Sequence, residues 1–413
     1  MIVKSFLLKQ QFIAQIAAQC GPDVIAVIRP EKAIEALFRE AITVTIDQKK
    51  SAASQIDAIR MYFEGLGEHP EYRRKVAQTI DGVAAYLREA MYVQSAHEAI
   101  EDYVLAKCAR LCAEAVSNAA GGAAVLDGTE LMICLTPKHF DWAASQDQIQ
   151  QRCHAGQIIP GGYGRLQSGY VVRVGKDGAH LMAALIGATL KTQSIEFYVD
   201  GPGINAEAAM TYDEAAHYCS QPHAPFSSSA IWPAKNAGIP ILVKDISDPG
   251  FEGTLISSGS AHKTAVLCDK DLDLITVYGT GLLGRVGMSG AIFSCLASAK
   301  VNVRFIAQTS SEYSISFAVR SAEKDRSVYA IQSLFKENPL LPLDDVVVLN
   351  QAVGIVTVFG SRMRNLPGTS GTVFGKLGAA GINIIASAQG GEELSISLVV
   401  DAADADRAAQ LLK

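Results

Sequence analysis

Glycine is almost missing from the start of this chain: Gly21 is the only one before residue 65. A glycine-rich phosphate loop therefore has no place in the N-terminal segment, and no GxxxxGK[ST] motif occurs anywhere in the 413 residues. Positive charge is also short, with 36 Lys and Arg against 42 Asp and Glu. The resulting net charge of −6 argues against a polyanion-binding surface, and no nucleic-acid partner is expected. No apolar run approaches the roughly 18 residues needed to span a bilayer, so no membrane partner is expected. The opening MIVKSFLLKQQF turns polar too soon after Leu8 for a signal peptide, and a cytoplasmic protein is expected. The eight cysteines are scattered through apolar patterns, which suits reduced thiols better than a disulfide frame. Cys108 and Cys112 lie one helical turn apart with no histidine or second cysteine pair nearby, so core packing is expected there and no metal.

What is present is a globular composition, 49% hydrophobic and 19% charged, long enough for two to three domains. The C-terminal third is duplicated. The segment from Ile275 aligns without gaps on that from Val356 at a constant offset of 81, pairing Gly287 with Gly368, Ser289 with Ser370, Asn302 with Asn383, Gln308 with Gln389 and Glu312 with Glu393. Each copy reads as strand, glycine-bearing loop, helix, two alternating strands and a final helix. In the first copy Ile292, Leu296 and Ala299 fall on one helical face. Such a unit makes an open sheet covered by helices on one side. Gly284, Gly287 and Gly290 turn the backbone just before a helix N-terminus, where free amides favour a carboxylate. Asn302 and Gln308 offer donors and acceptors of the kind a zwitterion needs. The competing reading gives the glycines to turns and the polar side chains to sheet edges or a dimer seam.

Both copies resemble ACT modules, and the pair, with NVRFIAQTSSEYSISFAV and GINIIASAQGGEELSISLVV, resembles the regulatory region of aspartokinases. The resemblance implies an amino-acid effector bound by Gly287, Ser289, Asn302, Gln308, Asn383 and Gln389. Arg304 stands where some lysine-sensing relatives are acidic, which implies a threonine-like effector rather than lysine. It also implies that the strand at KTAVLCDKD is lent to the second module. Expected boundaries are 1–260 for an amino-acid-kinase-like domain, 264–340 for the first ACT module and 345–413 for the second. The expected fold class is α/β, a kinase-like sandwich with a mostly parallel sheet followed by two ferredoxin-like α+β modules.

In the N-terminal half, helical patterns cover much of residues 50–120, and from Ile158 glycine-rich turns, strands and helices alternate as in a parallel α/β domain. IEFYVDGPGI and SAIWPAKNAGIPILVKDISDPGFEGTLIS resemble aspartokinase segments, with Asp200 and Gly203 kept as nucleotide-binding candidates. Four other motifs depart. Against the family KFGGTS, Ser5 stands at the lysine and Leu7, Leu8, Lys9 and Gln10 replace the glycine turn; Lys4 points to the opposite face of a strand. Against GERLSA, Ala109 stands at the glutamate while Arg110 remains. Against GRGGSD, Lys176 stands at the arginine and His180 at the aspartate, with Asp177 displaced; LHPR becomes Phe226 to Ser229.

Lys176, Arg110 and His180 are the residual catalytic candidates, His180 being read either as an acid/base group or as a solvated surface histidine. GGYGRLQSG offers an anion cradle or simple turns. EHPEYRRK reads as a solvated helix start or loop, and Trp142 and Trp232 as packing residues. The expectation is an aspartokinase-like protein whose aspartate phosphorylation is lost or altered. It would act as an amino-acid-binding regulatory or repurposed protein of aspartate-family metabolism, as a homodimer or a heteromer with an active aspartokinase. The alternative is a working transferase: a divergent aspartate kinase using Lys4 or Lys176 with ATP and Mg²⁺, or an enzyme acting on another substrate in the same cleft.

Overall fold

The structure is a computed structural model. It describes residues 1–92, 97–136, 139–175, 177–201, 204, 209–220, 224–248, 252–259, 265–279, 282, 286–310, 313–337, 347–360, 363, 366–391 and 393–413. The chain divides into two compact units, Met1–Ala261 and His262–Lys413. Lys176, Gly203, Gly284 and Glu312 lie outside the described residues.

The first unit runs β1 (Ile2–Leu8), α1 (Ile13–Ala18), β2 (Val24–Pro30), α2 (Lys32–Ile42), α3 (Ala53–Glu64), α4 (Pro70–Ala90) and α5 (His97–Ala119). It continues through β3 (Ile133–Thr136), β4 (His139–Phe140), α6 (Trp142–Arg152), β5 (Ile158–Pro160), β6 (Tyr163–Leu166), β7 (Val171–Arg173) and α7 (Gly178–Leu190). It closes with β8 (Ser194–Val199), β9 (Ala209–Thr211), α8 (Tyr212–Cys219), α9 (Trp232–Ala237), β10 (Ile241–Asp245) and β11 (Thr254–Ser257).

Seven strands form one sheet in the order β5-β2-β1-β8-β10-β11-β9. Pairing is parallel except between β10 and β11. The sequence IVKSFLL places β1 centrally, because β-branched and aromatic residues fill both of its faces. Phe6, Leu8, Ala26 and Ile28 share one core cluster with α2 to α5. The alternate residue Val27 faces the other way, toward Ala179 of α7. α7 is apolar all round and is buried along nearly its whole length, as a helix packed on several sides must be. A second, four-stranded sheet, β4-β3-β6-β7, is an element that the sequence patterns do not announce.

Three local expectations meet the structure here. α4 begins at Pro70 within EHPEYRRK, but that start is not simply solvated: Tyr72 is buried and its hydroxyl donates to the Phe63 carbonyl at 2.8 Å. Trp232 is not a core residue; it is 54% exposed, with the Lys235 ammonium 5.0 Å from its ring centroid. Cys108 and Cys112 are both fully buried, and burial drives the Cys108 thiol well above its ordinary pKa.

The second unit comprises β12 (Ala265–Tyr278), α10 (Met288–Ser298), β13 (Phe305–Gln308), β14 (Ser314–Arg320), α11 (Lys324–Glu337), β15 (Val347–Phe359), α12 (Thr369–Ala379), β16 (Ala386–Gln389), β17 (Ser395–Asp401) and α13 (Ala405–Leu412). Its six strands make one antiparallel sheet in the order β13-β14-β12-β15-β17-β16. The two long central strands are shared. Leu272–Tyr278 pairs with β14, whereas Ala265–Asp269 lies beside Ile355–Phe359 of β15, with a bulge between the two stretches. Val266 accordingly joins the core cluster of the second copy, with Val356, Val358 and Leu377. The first copy has its own cluster around Ile275, Ile292, Leu296 and Phe317.

Candidate functional site

The parallel strands of the first unit end side by side, and the residues just past them line a cavity of about 650 Å³. Leu7 and Lys9 come from the end of β1, Pro30 and Glu31 from β2, Gly161 and Gly162 from β5, and Asp200 from β8. The chain leaves β1 toward β2 on one side and later returns to β8 on the other. Ligands of open α/β sheets bind at such a switch point, outside the carboxyl ends of the strands.

The floor depends on glycine. A Cβ on Gly161 would lie 2.5 Å from Val27 Cγ1 and 2.8 Å from the Cβ of Ala179, so only a bare backbone lets this loop rest on the first turn of α7. Gly162, at φ +97, meets only the Ala179 amide nitrogen, at 3.7 Å from where its Cβ would be. Main chain is therefore open to the cavity beside the start of α7.

The wall beside β1 is different. Leu7 lines the cavity, Leu8 is fully buried in the core, and Ser5 is fully buried with its hydroxyl unpartnered among the described residues. Lys4 does not line the cavity. Its ammonium lies 3.3 Å from the Glu196 carboxylate on β8 and donates to Gln19 Oε1.

The charges around the cavity are largely matched internally. The Lys9 ammonium lies 2.8 Å from Asp200, joining the ends of β1 and β8. Arg29 Nη1 donates to Asp177 Oδ1 at 2.7 Å, and Asp177 takes a left-handed φ of 60° just before α7. Arg173 faces Glu101 and Asp102 at 3.4 and 3.6 Å. Burial raises the Asp102 carboxyl above its ordinary range, although the Arg173 backbone amide donates to it at 2.9 Å.

His180 overturns the solvated-surface reading. It is fully buried, with its ring 4.7 Å from that of Phe197 and 5.6 Å from that of Phe226 by centroid. Neither ring nitrogen has a hydrogen-bonding partner among the described residues. Burial, and then the Arg29 charge, push its pKa well below the imidazole range, so it is neutral. Its ring does not line the cavity. Arg110, on α5, is held by Asp127 at 3.1 Å and Glu114 at 3.6 Å and also lies off the cavity lining. Sequence reasoning missed the Lys9–Asp200 and Arg29–Asp177 pairs, whose partners lie far apart along the chain.

In the second unit the repeat is reproduced side chain by side chain. Gly287 and Gly368 cap α10 and α12 at φ 89 and 88, a conformation that favours glycine. Ser289 Oγ donates to Gln308 Oε1 at 3.2 Å, and Ser370 Oγ to Gln389 Oε1 at 3.3 Å. Thr276 and Ser316 meet at 2.9 Å as Thr357 and Ser397 do at 3.0 Å. Asn302 and Asn383 are exposed on the stretches leading into β13 and β16. Arg304 differs from its counterpart Ile385. It shares Asp269 with Arg320, at 3.4 and 2.8 Å.

Comparison with known proteins agrees with this architecture. Residues 275–335 and 356–413 match the ACT domain family. The chain is 27% identical over 361 residues to the chloroplastic bifunctional aspartokinase/homoserine dehydrogenase 1 of Zea mays, a match covering 80% of this chain and 39% of that protein. It spans between 31% and 39% of the length of the first curated relatives it matches. E. coli aspartokinase III in complex with lysine and aspartate superposes with a TM-score of 0.79 at 19% identity, covering 100% of this chain and 98% of that one. The same enzyme with aspartate and ADP gives 0.77 at 19% identity, with the same coverage of each chain. The chain thus resembles aspartokinases in sequence and shares their fold, an amino-acid-kinase α/β domain followed by paired ACT modules.

Proposed function

We propose that this chain keeps the aspartokinase framework without ordinary aspartate phosphorylation and acts by binding an amino acid at its ACT modules. The observation that carries this reading is the end of β1, where Leu7 and the buried Leu8 occupy the place of the family's glycine turn and Ser5 that of its lysine. Phosphoryl transfer needs bare main chain, a cation and a metal disposed around the phosphates. A nucleotide would find open backbone at Gly162 and the start of α7 but a leucine side chain at β1. The cations best placed to meet phosphate, Lys9 and Arg29, are held by Asp200 and Asp177. The residues at β1 do not fit a nucleotide's phosphates.

The two Ser–Gln pairs beside glycine-capped helices support an amino-acid effector site, with a threonine-like ligand favoured over lysine by Arg304. A homodimer, or a heteromer with an active aspartokinase, is the assembly this reading expects. Among the described residues no helix is long and apolar enough to cross a membrane.

In a coupled ADP-release assay with aspartate, ATP and Mg²⁺, aspartate-dependent turnover is expected to stay at background. Turnover that Asp200→Ala abolishes would overturn the reading in favour of a divergent kinase. Calorimetric titration with threonine, lysine and methionine identifies the effector, and weaker binding in Gln308→Ala or Gln389→Ala places it.

A further inference from the structure

A second cavity, of about 670 Å³, opens in the first unit between the turn after α2, the start of α3 and the C-terminal half of α4. Its floor is apolar: Ala52, Ile56 and Leu87 line it and are themselves 7, 8 and 2% exposed. The rim is basic. Lys49, Lys50, Arg60 and Arg88 line it against two carboxylates, Asp57 and Asp81, in a chain whose net charge is −6.

These cations are not equally engaged. Arg60 is paired with Asp81 at 2.6 Å, and Lys49 Nζ donates to the Met91 carbonyl at 3.1 Å. The side chains of Lys50 and Arg88 have neither ion pair nor hydrogen bond among the described residues. A separate observation comes from Thr45. It is 3% exposed and lines the cavity, and its hydroxyl makes no hydrogen bond among the described residues. Thr45 sits in a π-helical turn, Thr43–Asp47, a local widening of the backbone that recurs at functional positions. That hydroxyl is not shut off from solvent, so it is open to the cavity and to a ligand's acceptor there.

We propose that this cavity binds a small organic anion whose apolar body rests on Ile56 and Leu87 and whose single phosphate or carboxylate is held by Lys50 and Arg88, within reach of Thr45. The volume falls in the range of about 300–1,000 Å³ typical of small-molecule sites. Apolar floor and cationic rim together select a ligand with both characters. A bare phosphate lacks the burial term and a neutral ring lacks the charge term.

The test is calorimetric titration of the full chain with 1-naphthyl phosphate, with 1-naphthol and inorganic phosphate as comparison probes. The ester is expected to bind one per chain, at least about tenfold more tightly than either probe, and to weaken in 0.5 M NaCl. Lys50→Ser and Arg88→Ser, both at exposed positions, are each expected to weaken it about tenfold without changing the far-UV circular dichroism. Ala84→Trp, which places bulk in the cavity, is expected to abolish binding. The proposal is overturned if the ester does not bind, if the Lys50 and Arg88 variants bind it like the parent chain, or if Lys9→Ala or Arg29→Ala removes binding instead. That last outcome would assign the ligand to the strand-end cleft.

Discussion

His180 gives the chain an acid sensitivity whose size follows from its burial. In the folded state burial and the Arg29 charge hold the imidazole well below its usual pKa, so it stays neutral. In the unfolded chain it titrates near its ordinary value of about 6.5. Below that pH the unfolded state binds one more proton than the folded state, so stability falls as pH falls. The slope for one proton is about 1.4 kcal/mol per pH unit, and between pH 7.5 and pH 5 the loss amounts to about 2 kcal/mol. His180→Leu removes the titrating group at nearly constant volume and also removes two buried, unpartnered nitrogens. Urea unfolding followed by tryptophan fluorescence reports on the first unit alone, because Trp142 and Trp232 are the only tryptophans and both belong to it. The variant is expected to be no less stable than the parent at pH 7.5 and to gain about 2 kcal/mol on it by pH 5. Stability curves that run parallel across this range would show that His180 titrates in the folded chain as it does in the unfolded one, which would refute its burial as a neutral imidazole.

Two further outcomes follow from the walls of the strand-end cleft. Gly161→Ala drives a methyl into Val27 and Ala179, and the same unfolding assay is expected to show a loss of about 1–3 kcal/mol; an unchanged midpoint would mean the loop does not rest on α7. Leu8→Gly removes a fully buried side chain from the cluster containing Phe6, Ile28 and Phe38, at a cost of about 3–5 kcal/mol, and is expected to leave aspartate-dependent ADP release at background.

The duplicated half was the more legible one because its information is local and stated twice. The offset of 81 carries over to the Ser289–Gln308 and Ser370–Gln389 bonds, since identical spacing on identical elements repeats the same geometry. The cleft in the first unit was harder to read. Its ion pairs join residues 9 with 200 and 29 with 177, and nothing in either local pattern signals the partner. His180 was misjudged for a related reason. Its neighbours Lys176 and Asp177 suggest water, whereas Phe197 and Phe226, which enclose its ring, come from later in the chain. Trp232 erred in the opposite direction, since an aromatic beside a lysine can lie flat under its ammonium at the surface.

The two cavities of the first unit carry opposite electrostatic logic. Four cations line the strand-end cleft, Lys9, Arg29, Lys32 and Arg173, but so do four carboxylates, Glu31, Glu35, Asp177 and Asp200. An anion entering there must displace pairs already formed at 2.7 and 2.8 Å, and Asp177, whose carboxylate is partly buried, would lose its counter-charge. The helical cavity has four cations against two carboxylates, and Lys50 and Arg88 have no pair to break among the described residues. Anion affinity follows the charge left uncompensated rather than the number of cations present. The cleft that the fold makes conspicuous should therefore be the weaker anion site of the two, and a single naphthyl phosphate titration across the Lys9, Arg29, Lys50 and Arg88 variants ranks them directly.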